Sequence, residues 1–428
     1  MSKSAGDEWR SRVQLKPSLT VLSALLFAMT PFNAFAQDDD RNVGVQDRAR
    51  PEYDPMGLRF GGFDLNASLD LTAENTDNLF ATETAEQEDT IYSVAPSATL
   101  ASHWSRHALV VSAGADSRSH QDYDSEDTDT GYASVYGRLD ISTDTALSAT
   151  VRGAHEVEPR TGPDSLVNAT GPVEYDRNEV SVSAQHIINR VRVIGTATST
   201  EYDFEDAVDS VSALVIDQDF RDRSETALTG RVEVAISPRV SLVGQYTGDE
   251  RDYDAAASSA LDSEGQTILA GVRMDLTNVI RGEVTAGQVS RDYDSGTVDG
   301  VAIDANLEWF VTGLTTISVT ASRDVQEGSA TISDPYVNTQ LNGRIDHELL
   351  RNFIISADVG SVRREYEAPV DREDETLYGS FEARYLMNRR VALRAGYVHE
   401  ENETSGVNAP IDRNFDANRF FAGITLRL

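Results

Sequence analysis

The sequence contains no cysteine, no long apolar run and almost no lysine. Without cysteine there is no disulfide framework, no thiolate metal site and no lipid-anchored lipoprotein. No segment approaches the ~20 consecutive apolar residues of a bilayer-spanning helix, which excludes a helical inner-membrane protein. The two lysines are Lys3 and Lys16, so every later fixed positive charge is an arginine. Arginine stays charged and pairs bidentately with carboxylates and phosphates, which suits a polar lumen or a lipopolysaccharide surface. A GC-rich genome would give the same bias. Positive charge is scarce altogether, with 37 Lys and Arg against 71 Asp and Glu, a net charge of −34. So acidic a chain repels phosphate backbones, and nucleic acid is not an expected partner.

What is present begins with a processing signal. Lys3, Arg10, Arg12 and Lys16 form a basic region, Leu19 to Met29 an apolar one, and Ala34-Phe35-Ala36 a small-x-small cleavage site. Residues 1–36 therefore read as a cleaved secretion signal, with a mature start at Gln37. Its removal leaves 33 basic and 69 acidic residues, a net −36. Residues 37–61 are polar and punctuated by Pro and Gly, and read as a periplasmic N-terminal arm. That arm is too short to form the plug of an energised transporter.

From Phe63 onward one pattern persists to the last residue. The C-terminal stretch shows it: Leu428, Leu426, Ile424, Ala422 and Phe420 alternate with Arg427, Thr425 and Gly423, and Phe421 is the one apolar intruder. Alternation with period two is a strand with one apolar and one polar face. A strand running to the terminus needs a partner, because an open apolar edge aggregates. About eighteen such strands can be counted, sixteen being the alternative. They are joined alternately by very short turns and by longer loops rich in Asp, Glu, Ser and Gly. Loops segregated by length in this way mark a transmembrane antiparallel β-barrel, here over residues 62–428, with both ends in the periplasm. The expected place is the outer membrane of a Gram-negative bacterium. Its surroundings are outer-membrane lipid and lipopolysaccharide, and the barrel assembly machinery would read the strand ending at Leu428.

The two faces differ in kind. The outward face is Val, Leu, Ile, Ala and Gly. The inward face carries charges two residues apart near the short turns: Arg138 and Asp140, Arg231 and Glu233, Arg273 and Asp275, Arg281 and Glu283, Arg344 and Asp346, Glu382 and Arg384. These predict a belt inside the barrel near its periplasmic end. They either neutralise one another in a polar interior or form a constriction that orients a permeating solute. At the other ends of the strands, Tyr202, Tyr253, Tyr293 and Tyr366 face inward by parity. They read as girdle or packing residues, or as rings that stack on sugars. The seven histidines are scattered, with no Ser-His or paired-carboxylate constellation beside them. No enzyme, cofactor or metal centre is expected.

Two short motifs add a resemblance. Arg50-Pro51-Glu52-Tyr53-Asp54-Pro55-Met56-Gly57 precedes the first strand, and Asp77-Asn78-Leu79-Phe80-Ala81-Thr82 follows it. In this order they resemble the putative β-barrel porin type 2 family, outer-membrane barrels associated with exopolysaccharide and capsule operons. The resemblance implies a pore or export conduit for surface polysaccharide, with polysaccharide and a periplasmic export complex as partners. It carries over no catalytic residues. One departure is Leu428, where barrel assembly signals more often end in Phe. The alternatives are a general or cation-preferring diffusion porin without a polysaccharide role, and a non-conducting structural barrel.

Overall fold

The structure, a computed structural model, describes residues 43–163, 165–166, 168–276, 279–294, 296–326, 335–366, 372–406 and 413–428. The expected signal, its cleavage point and the Thr277-Asn278 turn lie outside these residues. Among the described residues no helix is long and apolar enough to cross a membrane; the chain crosses with strands.

Eighteen long strands follow one another. They are β1 (Phe63–Thr76), β2 (Asp89–Ser102), β3 (Ala108–His120), β4 (Thr128–Asp140), β5 (Thr145–Val157) and β6 (Glu174–Ile188). Next come β7 (Val191–Phe204), β8 (Arg223–Ser237), β9 (Val240–Tyr253), β10 (Ser263–Leu276), β11 (Ile280–Tyr293) and β12 (Gly296–Thr312). The last are β13 (Thr315–Gln326), β14 (Tyr336–Leu350), β15 (Phe353–Tyr366), β16 (Glu373–Leu386), β17 (Val391–Ser405) and β18 (Phe415–Arg427). Each pairs antiparallel with its chain neighbours, and β18 pairs with β1 from Arg427↔Ser68 to Arg419↔Thr76. That last ladder closes the sheet and removes its edges. The expected barrel and its count of eighteen are both found.

The alternation sets the faces. On β7, Val193, Gly195 and Ala197 point outward, while Arg192, Thr196 and Thr198 point inward. Exposure is inverted relative to a soluble protein: Leu228 is 62% and Val359 68% exposed, whereas Arg231 and Glu233 are buried. Only a hydrocarbon solvent makes that arrangement stable. Trp104, Trp309 and Tyr385 stand outward near the short-turn end, and Tyr92, Tyr397 and Phe420 toward the other. Such rings sit at the two lipid–water boundaries.

Loop lengths follow expectation with one exception. The turns at one end have two to five residues, and most connections at the other have six to eighteen. The connection between β11 and β12 has only two, because the ladder runs on to Tyr293↔Gly296. Gly296, at φ +148°, makes that tight reversal possible. The acidic, Gly-rich stretch after it extends the strand instead of looping.

Phe421, the intruder in the last strand, points into the barrel. Its ring lies over Gly396, directly across the ladder, where a Cβ would strike both the ring and the Phe381 carbonyl. Tyr378 over Gly360 and Tyr132 over Gly114 repeat the device. An aromatic laid on a cross-strand glycine fills the space that the glycine leaves and shields its backbone.

Candidate functional site: the lumen and its two mouths

The inward charges gather near the short turns, as the sequence implies, but not always in the expected pairs. Arg138 binds Asp140 (2.8 Å), Arg231 binds Glu233 (2.9 Å), Arg344 binds Asp346 (3.0 Å) and Arg384 binds Glu382 (2.8 Å). Two pairs re-sort. Arg281 takes Glu308, its direct neighbour on β12 (2.8 Å), rather than Glu283. Arg273 reaches Glu233 (3.3 Å). Glu283 instead accepts both ends of the Arg231 guanidinium (2.8 and 2.6 Å), and Arg192 also reaches Glu233 (3.4 Å). For Arg281 and Arg192 the partner is the residue directly opposite across the ladder, so register decides it there.

The belt is not uniform around the circumference. On β7 to β11, Arg192, Arg231 and Arg273 surround Glu233 and Glu283. On the wall of β14 to β16 carboxylates prevail: Asp346, Glu348, Asp358 and Glu382 against Arg344 and Arg384. Unequal walls of this kind set a field across the lumen.

The N-terminal arm enters the acidic side. Val45 of the arm is fully buried with Ile354, Leu386 and Ala392, all inward-facing residues. The Val45 amide donates to Thr316 Oγ1 (3.0 Å). Gln46 donates to Asp346 (2.7 Å) and Ser356 (3.0 Å) and accepts from Arg384 (3.2 Å). Arg48 and Arg50 both bind Glu348 (3.2 and 2.9 Å), and Arg50 also donates to the Val45 carbonyl (2.7 Å). Residues 43–54 thus line the lumen at its short-turn end.

The two motifs acquire physical roles here. In Arg50-Pro51-Glu52-Tyr53-Asp54 the amides of Tyr53 and Asp54 donate to the Arg50 carbonyl (2.7 Å each), and the Asp54 carboxylate accepts the Arg50 amide (2.5 Å). This closed turn aims Arg50 at Glu348. Arg389 and Arg427 hold the carbonyls of Pro51 and Tyr53 at the rim. In the second motif, Asp77 accepts the backbone amide and side-chain amide of Asn418 (2.7 Å each). Buried Asn78 donates to the Thr82 and Asp416 carbonyls (2.8 Å each) and accepts from the Thr82 amide (3.1 Å). That staples the β1–β18 seam at its outer end. Periodicity carried no sign of either role.

The outer mouth is narrowed by the chain itself. The connection after β5 carries Arg160, which binds Glu126 (2.6 Å) and lies 5.9 Å from the Phe80 ring. Its Ser165 carbonyl accepts from Arg413, just ahead of β18. That loop therefore spans from β5 across the seam. Nearby, β12–β13 pairing stops at Ile303↔Arg323 while β13–β14 continues to Gln326↔Tyr336. The freed end packs Val325 and Val337 against Val289 and Ala302 of the inner wall.

The four tyrosines do not form an open track. Tyr202 is packed with Tyr175 and Phe204, lies under Arg223 (4.2 Å), and abuts the cluster of Ala169, Val173 and Ala207. Tyr366 is buried between Tyr336 (4.9 Å) and Arg372 (4.7 Å). Both have their faces covered by these neighbours. Tyr253 lies 5.8 Å from Arg223, and Tyr293 closes the β11–β12 hairpin.

Carboxylates cluster at the outer rim. His155, Glu174 and Glu205 bring three candidate ligand atoms within 4.8 Å of one another, as do Asp206, Asp217 and Asp219. His155 is already hydrogen-bonded to Asp176 (2.8 Å) and Glu174 (3.2 Å), which accounts for the first group without an ion. In the same loop region Asp209 accepts from the Ser212 amide and hydroxyl, the Val211 amide and Asn168. These donors lower its pKa to about 2. Asp222 is shifted upward by burial, with Asp203, Asp219 and Asp254 adding repulsion.

Comparison with known proteins agrees with this architecture. The profile of a family described as "Putative beta-barrel porin 2" matches residues 50–428. Among curated proteins, none matches the sequence significantly. Solved structures that resemble the chain include a BenF-like porin from Pseudomonas fluorescens Pf-5 (11% identity, 86% of this chain and 100% of that one, TM-score 0.45). Pseudomonas aeruginosa OccK2 in complex with glucuronate is similar (11% identity, 87% and 100% coverage, TM-score 0.46), as is Acinetobacter baumannii OccAB3 (10%, 86% and 100%, 0.45).

Proposed function

The chain belongs to the beta-barrel porin 2 family of outer-membrane barrels, and on that premise we propose that it is a passive diffusion channel for small hydrophilic solutes. One observation carries the reading: the lumen wall is rich in polar groups and bears an internally paired charge belt near the short turns. An eighteen-strand barrel is wide enough to hold a water-filled passage. Arginines prevailing on one wall and carboxylates on the other would align a dipolar solute as it passes.

A conduit for surface polysaccharide was the expectation drawn from the resemblance alone. Two features favour the small-solute reading over it. The arm and the loop after β5 narrow the two mouths, and two of the four candidate stacking rings are covered. Swelling of liposomes that contain the refolded protein separates the readings. Swelling with arabinose and glycine but not with long oligosaccharides is expected. Entry of oligosaccharides at comparable rates would overturn the small-solute reading.

A further inference from the structure

We infer that residues 43–54 are a detachable periplasmic gate, seated in the lumen through a charge-complementary contact of Arg48 and Arg50 with Glu348. This rests on the channel reading above and adds how the passage is controlled.

Three observations carry it. The segment contributes no strand to the barrel, so the barrel closes without it: every ladder from β1 to β18 is complete through other residues. Its contacts are mainly with the wall of β13 to β18, through Val45, with Tyr53 packed beside it, and through polar groups. Its two arginines lie on the acidic side of the lumen, where Asp346, Glu348 and Glu382 prevail. The contact is thus largely polar, and Arg389 and Arg427 hold its Arg50–Asp54 turn to the wall at one end.

Such a segment has two states. Seated, it narrows the mouth and neutralises Glu348. Released, it leaves the Glu348 carboxylate facing the passage, and the lumen becomes wider and more cation-preferring. Because two guanidinium groups share one carboxylate, removing that carboxylate leaves both without their partner in the seat. Breaking a buried ion pair from one side is strongly unfavourable, so the seated state loses about tenfold or more in occupancy.

Single-channel recording of the full-length refolded protein in planar bilayers tests this. Wild type is expected to switch between a lower and a higher conductance level, with the lower prevailing. Glu348→Gln should shift occupancy to the higher level by about tenfold or more. The triple charge reversal Arg48→Glu, Arg50→Glu and Glu348→Arg should restore the wild-type distribution. A lost lumen charge alone would not be rescued in this way. A Cβ at Gly44 would lie 3.9 Å from the Thr316 methyl, and the chain has no cysteine of its own. Gly44→Cys with Thr316→Cys, oxidised, should therefore hold the lower level, and dithiothreitol should release it. One conductance level, unchanged by Glu348→Gln and by the crosslink, would overturn the gate and leave the channel reading standing. No current from any folded variant would overturn both.

Discussion

Arg231 is the residue whose removal should move ion selectivity most cleanly. Its guanidinium binds Glu233 (2.9 Å) and both oxygens of Glu283 (2.8 and 2.6 Å). With Arg192 and Arg273 the group holds three positive and two negative charges, a net of +1. Arg231→Gln takes this to zero, while Glu233 keeps Arg192 and Arg273, so the wall need not collapse. A unit charge about 7 Å from a passing ion is worth about 0.6 kcal/mol in water, screened to about 0.3 kcal/mol at about 0.1 M salt. Cations gain and anions lose, so the cation-to-anion permeability ratio rises by about 0.6 kcal/mol, about threefold. Reversal potentials under a salt gradient measure this ratio, and raising the salt should shrink the change. Arg363→Gln, on the outward face beside Glu373, should leave it unaltered. A ratio unchanged by Arg231→Gln, or moved toward anions, would refute the placing of the constriction at this belt.

Three further outcomes are expected. Gly396→Leu forces a side chain into the Phe421 ring and the Phe381 carbonyl, and should destabilise the barrel by about 1–3 kcal/mol in denaturant unfolding; Phe421→Ala should recover only part, since the carbonyl clash remains. Asn78→Ala removes the side chain that holds Thr82 and Asp416 across the seam. It should cost about 1–3 kcal/mol and lower the temperature at which the folded form is lost on gels. Asp209 should titrate near 2 by carboxyl NMR, and Ser212→Ala should raise that midpoint. Because its folded pKa is depressed, its contribution to loop order is full above the ordinary carboxylate range and fades as pH falls through about 2.

How much of this was legible depended on whether a feature repeats. The strands were legible because period two recurs throughout, and the two faces followed from the same count. The arm was not, because Val45 and Gln46 contact Thr316 and Asp346 across 271 and 300 residues, and a polar, Pro-punctuated segment has no period to betray a seat. The belt was found but its pairs were partly wrong: the Arg281–Glu308 contact depends on the register of β11 against β12, which turn lengths alone did not give. Residues Gly296 to Gly300 carry the Asp and Gly that favour turns, yet their ladder with β11 is complete. Phe421 broke the alternation because its partner is a glycine on the neighbouring strand. Tyr202 and Tyr366 did face inward as parity predicted, but parity says nothing about what lies on top of a ring.

The central claim is that the closed barrel encloses a conducting aqueous path, and planar-bilayer conductance of the refolded full-length protein tests it most directly. Stepwise insertion of ohmic current, with its selectivity shifted toward cations by Arg231→Gln, is the result expected. Folded, bilayer-inserted protein that carries no current, even with Glu348→Gln releasing the arm, would contradict it.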